Sequence, residues 1–214
     1  MVLFRSIKSQ RGISLISMMV GITISLITAV AMLTLFRHSI KISANTTQFS
    51  KQDAERTSAM TVAPILLQDA GFGITDASVS GNIIALKNAT FSSANKLSGN
   101  ATANGEAANA IVWLRNLGTN LECSALFAAP GKGLMLLGPV NCTGITAWPA
   151  ASWGPAKPLA NLGTFNFVLS NTVGTCGQFG YASHGKATIT IQSNNATGQA
   201  IHSQSCLSNL VVSP

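Results

Sequence analysis

One uninterrupted apolar stretch constrains this chain more than any other feature of it. Ile13 to Phe36 reads ISLISMMVGITISLITAVAMLTLF, 24 residues without a charge or a proline. As a helix rising about 1.5 Å per residue it extends about 36 Å, enough to cross a hydrocarbon core of about 30 Å. Arg5, Lys8, Arg11 and Gly12 precede it, and Arg37 and Lys41 follow. The basic start assigns the N-terminus to the cytoplasmic side and everything after about Phe36 to the opposite side.

Beyond Phe36 lie 178 of the 214 residues, enough for one domain with a real core. The formal charge is +7, but with Arg5, Lys8 and Arg11 set aside, ten Lys or Arg face six Asp or Glu. Those ten are scattered, with no basic run after Lys41 and no interleaved aromatics, so the pattern has no nucleic-acid footprint. Only 9% of residues are charged. A composition rich in Gly, Ser, Thr, Ala and Asn suits strands, turns and long loops on an exported protein. All four cysteines, Cys123, Cys142, Cys176 and Cys206, follow the apolar run. An even number beyond a membrane signal favours two disulfides in an oxidising compartment.

The run is too long for the core of an ordinary secretory signal, and no A-x-A site closes it. Instead QRG stands directly before ISLISMMVGITISL. This junction resembles that of the type IV prepilins, whose short basic leader is removed after the glycine by a prepilin peptidase that also methylates the new N-terminus. The resemblance makes Gly12 the last leader residue and Ile13 the first of the mature chain, where the family usually has Phe or Met. It also implies a glutamate as the fifth mature residue, and here that position is Ser17. In the family the glutamate neutralises the amine of the preceding subunit. Ser17 is then either divergence in a tolerant protein or the mark of a subunit at the filament tip, which has no predecessor to neutralise.

The helix is expected to continue past Arg37. Phe49, Met60, Ala63 and Leu67 fall close to one face of a 3.6-residue period, but Asp53 and Arg56 intrude on it, so the stripe is weak before residue 56. Asn45, Thr46 and Thr47 lower helix propensity. Pro64 is expected to bend or interrupt the helix, since it lacks the N–H owed to Met60. LLQDAGFG ends it, with Gly71 as a left-handed cap. Asp69, Ala70, Gly71, Phe72 and Gly73 resemble the end of the long helix in minor pilins of the PilW kind.

The remainder is read from pattern. Ile74 to Gly105 reads as loop with one short strand around Ile83, Ile84 and Leu86. AIVWLRN, Ala110 to Asn116, is a strand whose Trp113 covers a packed face. In CSALFAAPGKGLMLLGPVNC two apolar runs flank a turn at Pro130 to Gly133, which levels Cys123 with Cys142. Thr143 to Leu162, with Trp148 and Trp153, is an irregular connection, and the tryptophans belong to the core or to a contact surface. Phe165, Phe167 and Leu169 alternate as a strand, as do Ala187, Ile189 and Ile191. Ala200 to Val212 returns beside the latter and brings Cys206 near Cys176. Four cysteines allow three pairings, and these hairpins favour Cys123–Cys142 with Cys176–Cys206.

No catalytic constellation emerges. Lys132 in GKG is followed by Gly133 and Leu134 rather than the Ser or Thr of a phosphate loop. Cys176, His184, His202 and Cys206 lack the spacing of a zinc site. GYASHG, Gly180 to Gly185, has one residue too many for a nucleophile elbow. The expectation is therefore an α+β, type IV pilin-like fold, a long N-terminal helix whose outer half packs on an antiparallel β-sheet with disulfide-tied hairpins. Residues 1–12 form the leader, 13–36 the transmembrane and filament-core helix, 37–72 its exported continuation and 73–214 a β-rich domain. The resemblance implies a non-enzymatic minor pilin without cofactor, held first in the inner membrane and later at or near a pilus tip. Its partners would be other minor pilins and the major pilin through the helix, the prepilin peptidase, and a tip adhesin. A type II secretion pseudopilin and a membrane-anchored adhesion module are the alternatives.

Overall fold

The computed structural model describes residues 14–118, 120–176, 185–194 and 198–211. The chain divides into two compact units, Met1–Gln48 and Phe49–Pro214. One helix, α1 (Leu15–Leu67), begins in the first and ends in the second. Pro64 lies inside it and does not interrupt it, contrary to expectation. The proline stands in the last turn, so the missing N–H removes one hydrogen bond just before the helix ends anyway.

In the second unit, α2 (Val79–Asn82) leads into two antiparallel sheets. The first holds β1 (Ile83–Phe91), β2 (Leu97–Ala101), β4 (Ala110–Asn116), β5 (Leu121–Ala128), β6 (Leu134–Asn141) and β7 (Lys157–Ala160). Their spatial order is β2-β1-β4-β5-β6-β7. The second, in the order β10-β9-β8-β3, comprises β3 (Ala107–Ala108), β8 (Thr164–Cys176), β9 (Gly185–Asn194) and β10 (Ala200–Leu207). Two sheets thus stand where one was expected. The β1–β2 hairpin falls in the stretch read as mostly loop.

The outer part of α1 packs its apolar face on both sheets. Ala59, Met60, Ala63 and Leu67 share one core with Ile83, Ile111, Trp113, Leu126 and Leu134 of the first sheet, and with Phe165, Phe167, Ile189 and Ile191 of the second. Phe49 is exposed and the buried stripe starts only at Arg56, in keeping with a stripe that is weak before residue 56. A second core forms on the opposite face of the six-stranded sheet. There Leu86, Val112, Leu114, Phe127 and Leu137 meet Ile145, Trp148 and Trp153. Both tryptophans are buried, which removes the contact-surface reading of them. The Trp153 indole donates to the Trp148 carbonyl at 3.3 Å, and Lys96 Nζ donates to the Ala150 carbonyl at 2.7 Å. Burial on both faces explains why Ala110 to Leu114 is continuously apolar rather than alternating.

Two disulfides tie the strands. Cys123–Cys142 joins β5 to the residue after β6, across the open end of the hairpin, and Cys176–Cys206 joins β8 to β10, with Cα atoms 5.6 Å apart in each. The second bond crosses the start of β9 at Gly185, where a Cβ would stand 3.1 Å from the Cys206 sulfur and closer still to the backbone of Leu207 and Ser208. Only glycine fits beneath it.

Candidate functional site

The first unit presents a helix that starts with an apolar run. From Ser14 to Gln48 every residue is exposed. An 18-residue window of α1 reaches a mean hydropathy of 2.2, and none of it is buried. The threonines of its apolar stretch are folded back onto the helix. Thr23 donates to the Val20 carbonyl at 2.9 Å, Thr28 to Ser25 at 2.9 Å and Thr34 to Ala31 at 2.8 Å. Hydroxyls satisfied within the helix need no water, as a lipid environment demands. Gly21, Ser25 and Ala29 recur every fourth residue on one face, with Met18, Ile22 and Leu26 around them. A Cβ at Gly21 would meet nothing within 4 Å. Among the described residues no contact therefore calls for glycine there, whereas a neighbouring helix approaches most closely over small residues.

Ser17 lies exposed in the first turn of α1. Gly12 and Ile13, the cleavage pair, lie outside the described residues, as does His184. His202 is exposed on β10, and Cys176 and Cys206 are joined to each other, so these cysteines offer no thiolate to a metal. Among the described residues no group of three or more His, Cys, Asp or Glu is placed to hold a metal ion. Gly131, Lys132 and Gly133 form the tip of the β5–β6 hairpin. No protein-family model, curated protein or solved structure matches the chain.

The joint between helix and sheet is the second feature. Asp69 to Gly73 turns against the end of β4. Gly71, at φ +77°, donates its N–H to the Leu114 carbonyl at 2.8 Å, and the Asn116 N–H donates to the Phe72 carbonyl at 2.8 Å. Gly73, at φ +68°, brings its Cα so near the Asn116 carbonyl that no side chain fits. Arg115 closes the joint, with Nη1 2.7 Å from Asp69 Oδ2 and Nε 3.0 Å from Glu122 Oε2. Sequence reasoning missed Arg115. The signal was there, because pairing β4 with β5 places Arg115 opposite Glu122.

The architecture is pilin-like: a long N-terminal helix, apolar and bare at its start, packed at its end on antiparallel sheet with two disulfide ties. That geometry suits a structural role held through the helix.

Proposed function

We propose that this chain is a minor pilin, a non-catalytic subunit of a type IV pilus that helps to initiate or cap assembly. Residues 1–12 are its leader, 13–36 its membrane and filament-core segment, 37–72 the exported continuation and 73–214 the surface-exposed domain. A prepilin peptidase cuts between Gly12 and Ile13 and methylates the new amine. The subunit waits in the inner membrane with its C-terminal domain exported, then joins other minor pilins and the major pilin through the helix. One observation carries the reading: a wholly exposed, charge-free helical segment is continuous with the helix that anchors a disulfide-tied domain. A water-exposed segment of that kind needs lipid or neighbouring helices around it.

Ser17 favours a place at or near the tip, because a first subunit has no predecessor whose amine needs a carboxylate. A secretion pseudopilus would use the same architecture, and an adhesin role at the tip is compatible with it. The test is mass measurement of the protein from its own host. The expected first residue is Ile13, methylated, with Gly12→Ala retaining the leader. A native chain that keeps Met1 to Gly12 contradicts the processing, and regular immunogold labelling along pilus shafts contradicts the tip placement.

A further inference from the structure

Arg56 is the one charged residue that the described structure buries, at 7% exposure. Among the described residues its only polar contact is with Asp53, one helical turn earlier, at 3.4 Å from Nη1 to Oδ1. Asp53 itself is half exposed, and Nε of Arg56 has no acceptor although it is shut away from solvent. A guanidinium carries five N–H donors in a planar fork. Taking it out of water is costly unless acceptors replace the water, and here a single long contact does so.

The same arginine lines a cleft of about 190 Å³ between the outer part of α1, the β7–β8 turn and the end of β9, together with Gln52, Asp53, Leu162, Gly163, Thr164 and Asn194. The walls are held in place independently of Arg56. Glu55 accepts from the Asn161 backbone N–H at 3.1 Å and from its side-chain amide at 3.3 Å, fixing the turn to the helix.

We propose that this cleft is a binding site for a carboxylate group, with Arg56 as its principal ligand. A carboxylate matches the guanidinium fork in shape and charge. The fork is already desolvated, so the incoming anion gains the attraction without that cost being met again at binding. Asp53 is the resident partner that the ligand displaces, and its exposure lets it turn out to solvent. Gln52 and Thr164 add neutral donors on the walls. The source is either a free small carboxylate or an acidic side chain of another copy. The site stands whether or not the chain enters a filament.

The test uses the full chain in detergent micelles with 15N-labelled arginine, following the Arg56 Nε–H signal assigned by through-bond connection to its own backbone. Sodium acetate is titrated against sodium chloride at constant ionic strength. The expected result is a saturating shift at Arg56 while the Arg37 signal stays still, with half-saturation about threefold lower in Asp53→Asn, where the competing carboxylate is gone. A shift that rises with protein concentration in chloride alone, and is reversed by acetate, identifies another copy as the source. Saturation by acetate without that concentration dependence identifies a free carboxylate. An Arg56 signal that moves no more than that of Arg37, or drifts without saturating, overturns the proposal.

Discussion

The two ends of α1 reverse the usual relation between polarity and burial. Leu15 to Phe36 carries fourteen large apolar side chains, each between 51% and 75% exposed. Phe49 to Leu67 is far more polar, yet it buries Ala59, Met60, Ala63 and Leu67 almost completely. Removing an apolar side chain from water is worth roughly 1.5 kcal/mol or more, so the first stretch holds on the order of 20 kcal/mol in reserve. That exceeds the stability of an ordinary domain. Folding of this chain by itself leaves that reserve unspent, and the environment of the helix must supply the burial. The second stretch needs only four small or medium side chains in register with two sheets.

The contrast can be sharpened by truncating one apolar residue in each stretch. Leu67→Ala should destabilise the domain by about 2–5 kcal/mol, because Leu67 is fully buried and leaves a cavity. Leu33→Ala, at a site 57% exposed, should leave the domain's thermal midpoint where it was. Calorimetry of both variants in detergent gives the comparison. Equal losses would mean that the first stretch packs on the domain after all.

The disulfides bear on the second region alone. Replacing Cys123 and Cys142 by Ala should cost about 3 kcal/mol, and replacing Cys176 and Cys206 slightly more, since the sequence separations are 19 and 30. Denaturant unfolding of the domain should register both losses. Membrane extraction behaviour, which reports on Leu15 to Phe36, should not change.

A smaller effect lies at the rim of the sheets. Glu106 accepts from Lys87 Nζ at 3.0 Å and from the Ala103 N–H at 3.3 Å. The Lys87 hydrogen bond, then the Ala103 N–H and the lysine charge, hold its carboxyl below the ordinary value of 4.5. A lowered carboxyl stabilises the fold above the unfolded-state value, and that contribution fades as pH falls through the folded one. Carbon-detected titration should place Glu106 below 4.5, and Lys87→Met should raise it towards that value. Because the group lies at the surface, domain stability should change little.

Much of the fold was legible where apolar residues mark both faces of a strand or flank a clear turn. Ala110 to Asn116, the hairpin around Gly131 and the alternation at Phe165 and Ile189 all appear as strands at those places. The start of β1 was legible at Ile83, Ile84 and Leu86, but its second half and β2 were not, because Lys87, Asn88 and Thr90 break the apolar alternation. Asn88 sits at φ +52° within a register shift of that pair. Phe49 was misread, whereas Arg56 lies on the face that it was expected to intrude upon. Helical periodicity says which residues share a face, but not where along the helix the sheet begins to cover it. The apolar core that the helix shares with both sheets starts at Ala59, and Phe49 lies two to three turns before that point. In the candidate site, the apolar helix was plain from composition. Arg115 could have been found through its hairpin partner Glu122, 7 residues away, but not through Asp69, 46 residues away at the helix end.

The most direct measurement is a nitroxide scan of the full chain in lipid nanodiscs, with single labels at Leu26, Ala29 and Leu33 and a reference label at Ser58. Labels in the first group should collide with oxygen dissolved in the bilayer and be shielded from an aqueous nickel chelate. Ser58, exposed on the outer part of the same helix, should show the reverse. Chelate access at Leu26 and Ala29 equal to that at Ser58 would contradict a membrane or helix-lined environment for the apolar segment.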